Sequence, residues 1–247
     1  MYFFNFLIGC MVALQLSCGL SAHAEIVLYD SGHGDIKVTG TPGNYSLQWD
    51  IEDVGIYQPG DVVTKVRDGV RTTFSSSPAL LSLTGLTAGQ PGEIWILPQV
   101  ENPLYAWPGL SLGGIGGTGT GSFRLLSVSK PIGGDFSVWT PGSLDNSLNF
   151  LMTTADGINP VLSGPGPQDT ITLAIGSHAH FNFGFTAAGI YDITMDVVGT
   201  RNGTAYSTPP GTFRFSVGDA TAVPEPGSIV LVIATLGILI AVRRRYA

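Results

Sequence analysis

The sequence predicts an all-β fold, an antiparallel β-sandwich with Greek-key-like connections, and three observations carry that expectation. Between residues 25 and 219 the chain is built of short runs rich in β-branched and aromatic residues, separated by Gly, Pro, Asn and Asp. One run, 190–198, alternates: Tyr191, Ile193, Met195 and Val197 share one parity, and Asp192, Thr194 and Asp196 the other. That is the pattern of a half-buried strand. No amphipathic helical period accompanies it, and many short strands with turn signals between them pack most readily as two face-to-face sheets.

In chain order the predicted strands are 25–30, 35–38, 45–50, 70–75, 93–97, 123–128, 136–140, 170–173, 179–186, 190–198 and 212–217. Two long loops interrupt them. Residues 108–122, with six glycines from Gly113 to Gly121, offer almost no side chains to pack and predict a mobile surface loop. No lysine follows those glycines, which removes the reading of a phosphate-cradling loop. Residues 156–169, with Asn159-Pro160 and Gly164-Pro165-Gly166-Pro167, predict the second. Residues 220–226 read as a linker.

Both ends carry an address. Residues 3–16 form an apolar stretch of signal-peptide length, and Ala22-His23-Ala24 is an A-x-A cleavage site, so residues 1–24 are expected to be a helical leader cut after Ala24. A lipoprotein reading through Cys18 is the alternative, disfavoured by Gln15 at a position that motif fills with an aliphatic residue. At the other end Pro224-Glu225-Pro226 precedes a charge-free apolar run, 227–242, and Arg243-Arg244-Arg245. The prolines cannot sit inside a helix, so the helix begins after them. Its sixteen residues span about 24 Å against a hydrocarbon core of roughly 30 Å, so bilayer thinning or snorkelling arginines must complete the crossing. The arginines place the C-terminus in the cytoplasm and residues 25–219 outside. This order of parts resembles the PEP-CTERM signal of Gram-negative bacteria. The resemblance implies recognition by exosortase, a membrane-embedded cysteine transpeptidase, and passage from the cytoplasmic membrane towards the cell surface or extracellular matrix.

Processing changes the composition. Cys10 and Cys18 both fall in the leader, so core burial rather than disulfides must stabilise the exported chain. Residues 25–222 carry seventeen acidic and eight basic side chains, a net charge of −9. Such a chain lacks the basic face that nucleic acid demands, and cations are its more natural partners.

The exported part has three histidines in two clusters, Gly32-His33-Gly34-Asp35 and Ser177-His178-Ala179-His180. Residues two apart on a strand share a face, so His178, His180 and Asn182 project together while Ala179, Phe181, Phe183 and Phe185 face the core. His33 and Asp35 likewise oppose the core parity of Ile36 and Val38. Should the two strands approach, three imidazoles and a carboxylate would converge on one ion; that donor set suits Zn²⁺, though imidazole also serves Cu²⁺, Ni²⁺ or Fe²⁺. Polar residues on an outer sheet face without any metal are the plain alternative.

The segment from Ile171 to Tyr191 and the element Gly32-His33-Gly34-Asp35-Ile36 resemble the H-x-H-x-N-x-x-F-T-x-x-G-x-Y and G-H-x-D-I motifs of choice-of-anchor M domains, including actinobacterial surface-anchored repeats and PEP-CTERM relatives. A Trp/Pro-rich middle stretch, 93–109, is shared more loosely. The resemblance implies a secreted β-sandwich with a zinc-related role, and carries His33, Asp35, His178 and His180 as candidate metal residues. Asp35 is read as either a fourth ligand or an outer partner. The expectation is therefore a surface protein that sequesters or relays a transition metal, zinc above all. The alternative is a structural or adhesive protein lodged in extracellular polysaccharide, with Trp95, Tyr105 and Trp107 stacking on sugars unless they cap the core. No G-x-S-x-G elbow, H-E-x-x-H helix or cysteine nucleophile supports an enzyme.

Overall fold

The computed structural model describes residues 26–74, 92–141, 148–160 and 168–220. The expected leader helix with Ala22 and Ala24, and the expected span with Pro224, Glu225, Pro226 and the three arginines, lie outside the described residues. Among those described, no helix is long and apolar enough to cross a membrane.

In order, the strands are β1 (Val27–Tyr29), β2 (Gly32–Thr41), β3 (Asn44–Ile51), β4 (Gly55–Tyr57), β5 (Val62–Val66), β6 (Arg71–Phe74), β7 (Gly92–Leu97) and β8 (Ala106–Ser111). They continue as β9 (Gly119–Ser129), β10 (Phe136–Pro141), β11 (Leu148–Thr153), β12 (Thr170–Ala174), β13 (His178–His180), β14 (Asn182–Phe185), β15 (Gly189–Arg201), β16 (Thr204–Ser207) and β17 (Gly211–Val217). Two 3₁₀ turns, Pro59–Asp61 and Asp68–Val70, complete the regular structure. The described chain is mostly strand, as predicted.

Three sheets result. A seven-stranded sheet runs β1-β5-β17-β15-β9-β12 with β16 paired to β15; two five-stranded sheets run β11-β10-β14-β7-β6 and β13-β8-β2-β3-β4. Ring contacts join the first to both others. Trp49 on β3 meets Phe213 and Phe215 on β17, while Phe185 on β14 meets Tyr191 on β15 and Phe215. All of these belong to one buried cluster. A β-sandwich fits this arrangement, the large sheet facing the two smaller ones.

The pairing is not uniformly antiparallel, which corrects the expectation. β1 and β17 both flank β5 in parallel, and β2 pairs β8 in parallel. Parallel neighbours need long connections, and the chain between β2 and β8 supplies one by building other strands on the way. Three further differences follow from local chemistry. β5 was not predicted although Val62-Val63-Thr64-Lys65-Val66 carries a plain β-branched signal, and β4, β8, β11 and β16 were not predicted either. The predicted strand 179–186 is two strands in different sheets, hinged at the buried Phe181. The glycine-rich loop is shorter than 108–122: its first residues belong to β8 and its last to β9, and Leu110, Leu112 and Ile115 are buried.

The predicted parities hold. Tyr191, Ile193, Met195 and Val197 are fully buried. On the opposite face Asp192 accepts two hydrogen bonds from Arg214 of β17, and Asp196 two from Arg124 of β9. Each pair stands directly across the ladder, where opposite charges stabilise a sheet. Phe181, Phe183 and Phe185 remain core-facing on both sides of the hinge, so His178 and His180 are directed away from the core.

Candidate metal centre

The site is assembled on three adjacent strands, with β8 in the middle. β2 runs parallel to β8 with His33 opposite Trp107, Gly34 opposite Pro108 and Asp35 opposite Gly109. β13 runs antiparallel on the other side, with His180 opposite Gly109 and His178 opposite Ser111. Asp35, Gly109 and His180 thus form one row across the sheet. Glycine in the centre of that row leaves the space the two outer side chains use: a Cβ there would lie 2.3 Å from Asp35 Oδ1 and 2.8 Å from His180 Cε1. Pro108 sits one residue past the β13 ladder, at the end of the pairing, where a missing N–H is tolerated.

The three histidines come together. One ring nitrogen from each of His33, His178 and His180 lies within 4.8 Å of the others. Ring centroids are 5.0 Å apart for His33 and His180, 5.5 Å for His178 and His180, and 6.0 Å for His33 and His178. Asp35 joins them, its Oδ1 being 3.5 Å from His33 Nε2. Ligands at 2.0–2.1 Å around a tetrahedral ion stand about 3.3–3.4 Å apart. The Asp35–His33 separation matches that span, and the imidazoles need an inward shift of about an ångström or somewhat more to reach it.

Polar accounting sharpens the picture. His33 Nε2, His180 Nε2 and Asp35 Oδ1 are buried with no hydrogen-bond partner, three of the six such side-chain atoms among the described residues. Each orphan of this kind costs about 1–3 kcal/mol unless something satisfies it. Their outward sides, by contrast, are engaged. His180 donates from Nδ1–H to the Pro108 carbonyl at 3.2 Å, which leaves the Nε2 lone pair free. His33 Nδ1 lies 3.3 Å from Glu52 Oε2, whose negative charge favours the tautomer carrying its proton at Nδ1. Histidine ligands of metals are held this way, the distal nitrogen donating to a carbonyl or carboxylate. Burial lowers the pKa of His180 below the ordinary imidazole value; Asp35 and the Pro108 carbonyl push it up, and the two other imidazoles push it down. The depressed value keeps the ring neutral and able to ligate near neutral pH.

Aromatic walls fix these rings. Trp107 stacks on His180 with centroids 3.8 Å apart and planes 15° apart, and it lies 5.2 Å from His33. Its indole N–H donates to the Gln99 carbonyl. The buried Tyr29 hydroxyl accepts from the Trp107 N–H and donates to the Gly32 carbonyl, joining the residues that precede His33 and Pro108. One face of Trp107 is therefore taken by His180, and Trp95 is in the core with its N–H on Asp68. Trp95 thus meets the core-capping reading of these aromatics.

The structure brings His33, His178 and His180 together, sets Asp35 beside His33 and His180, and leaves Asn182 out of the group. Asn182 accepts from the Gln99 N–H and donates to the Trp139 carbonyl. Sequence reasoning missed Glu52, Gly109 and the Pro108 carbonyl. The first had a usable signal. Pro42-Gly43, with Gly43 at φ 84°, suits a tight turn with proline first and glycine second. The ladder it closes runs from Thr41–Asn44 to Gly34–Ile51, and one step further sets Glu52 beside His33, where its N–H donates to the His33 carbonyl.

Compared with known proteins, the chain matches no family model, no curated protein and no solved structure.

Proposed function

We propose that the chain is an exported, exosortase-sorted surface protein whose sandwich holds a transition metal, zinc above all, through His33, His178, His180 and Asp35, for sequestration or relay outside the cytoplasmic membrane. The observation that carries the metal reading is the inward convergence of buried, unpartnered donor atoms on His33, His180 and Asp35 beside a third imidazole. Nitrogen and carboxylate donors in this number suit Zn²⁺ and admit Cu²⁺, Ni²⁺ or Fe²⁺. Export is supported by the Ala22-His23-Ala24 and Pro224-Glu225-Pro226 motifs and the arginine cluster.

When bound, the ion supplies charge that satisfies the buried donors. Everything else is done by the chain. Glu52 and the Pro108 carbonyl orient two imidazoles, Trp107 blocks rotation of one, and Gly109 leaves room for the carboxylate. The three imidazoles would supply three ligands, and Asp35, beside His33, would complete a four-donor shell; a shell filled in that way would suit holding an ion rather than activating water.

Zinc titration of the purified full chain tests the reading. The parent is expected to bind one ion with Kd below about 1 μM, equivalent to about −8 kcal/mol. The double variant His33→Ala/His180→Ala is expected to lose that binding. A variant titrating like the parent would sink the proposal.

A further inference from the structure

The three imidazoles are not equivalent, and from that asymmetry we infer that His178 is the exchange ligand of the centre. It is the donor that leaves first when the ion passes to an acceptor carrying its own imidazole or carboxylate. The inference rests on the metal-binding reading above and specifies how the ion is handed on.

His33 is held at Nδ1 beside Glu52, and its Nε2 lies in the buried interior 3.5 Å from Asp35 Oδ1. His180 is held by the Pro108 carbonyl and by the face of Trp107. Rotating either ring outward breaks a polar contact and, for His180, an aromatic stack. Asp35, only 7% exposed and lodged over Gly109, has no outward path. His178 has none of these restraints. It is exposed, it has no hydrogen-bond partner among the described residues, and its ring contacts are with the other two imidazoles alone. It also opens β13, a three-residue strand at the sheet edge, directly after a turn in which Gly176 adopts φ 86°.

Exposure decides the route. An incoming donor can approach the ion only from the solvent side, which His178 covers. As the acceptor's nitrogen or oxygen forms its bond to the ion, the His178–ion bond breaks and the released imidazole takes a hydrogen bond from water. No electron is transferred, and the ion keeps its charge. His33, His180 and Asp35 retain it until further acceptor donors arrive. The acceptor must therefore present at least one accessible donor and fit against an exposed strand edge rather than reach into a cleft.

The test uses the full chain loaded with Zn²⁺ and challenged with excess colorimetric chelator, comparing the parent with His178→Gln, His33→Gln and His180→Gln. His178→Gln is expected to keep one ion per chain before the challenge. It should then release that ion at least about tenfold faster than the parent, the lower bound set by loss of a single outer-shell partner. His33→Gln and His180→Gln are expected to hold no zinc under the same conditions. Melting of the metal-free His178→Gln protein at the parental temperature shows that its fold is intact. Release at the parental rate, or zinc loss as complete as in the other two variants, overturns the inference while leaving the metal reading in place. A parent that binds no zinc overturns the metal reading itself.

Discussion

Gly109→Ala is the most demanding perturbation of the centre, because the added methyl group falls between two proposed ligands without touching their chemistry. Its Cβ would stand 2.3 Å from Asp35 Oδ1, 2.8 Å from His180 Cε1 and 3.1 Å from His180 Nδ1, whereas ordinary contact begins at 3.4 Å. The carboxylate must therefore retreat by about 1.1 Å and the imidazole by about 0.6 Å, while zinc ligands tolerate about 0.2 Å. Zinc affinity is expected to fall by more than the about 10–100-fold that accompanies loss of an outer-shell partner. Forcing a methyl group into a filled site also costs about 1–3 kcal/mol of stability. At about 2–4 °C per kcal/mol for a domain of this size, the metal-free melting temperature should drop by roughly 2–12 °C. Competition titration against a zinc indicator and thermal melting measure the two effects separately. Parental zinc affinity in a folded Gly109→Ala protein would refute the placement of Asp35 and His180 in one coordination shell.

Two further outcomes follow from individual side chains. Glu52→Gln keeps the shape of the group facing His33 Nδ1 and removes its charge, so zinc affinity should fall about 10–100-fold; because Glu52 is 67% exposed, metal-free stability should change by no more than about 0.5 kcal/mol, as urea unfolding can check. Asp169 has a role apart from this chemistry, its carboxylate accepting the Thr153 and Asn159 N–H groups at 2.7 and 2.6 Å. Burial raises its pKa above the usual carboxylate value, against the opposing pull of those two N–H donors. A raised folded-state pKa contributes stability fully below the unfolded value near 3.9 and loses it as pH climbs through the folded value. The stability of the parent relative to Asp169→Asn should therefore decline as pH rises above the unfolded value of about 3.9. Asparagine tolerates the φ of 48° at this position, so backbone strain does not confuse the comparison; a flat or rising difference in urea unfolding would count against the account.

What the chain reveals unaided is a matter of which physical signal is local. Alternation is local, and it placed Tyr191, Ile193, Met195 and Val197 in the core and turned His178 and His180 away from it. Parity survives even where the strand changes sheets at Phe181, since a bend that keeps the period of two keeps the faces. The strand that unites the two histidine motifs was hidden for an equally definite reason. Ala106–Ser111 contains Pro108-Gly109, and both residues are depleted in strand interiors. Here each has a specific use. Pro108 lies beyond the β13 ladder and offers its carbonyl to His180, and Gly109 leaves the notch that Asp35 and His180 share. The residues that disguise β8 as a loop are thus the ones that adapt it to the site. Parallel pairing of β2 with β8 was equally out of reach, because it depends on where distant strands have already packed. Glu52 lay within reach, eight register steps along the ladder from the Thr41–Asn44 pair that closes the Pro42-Gly43 turn. Local conflict between propensity and fold gathers where a site has to be built, and in this chain Pro108-Gly109 is that conflict.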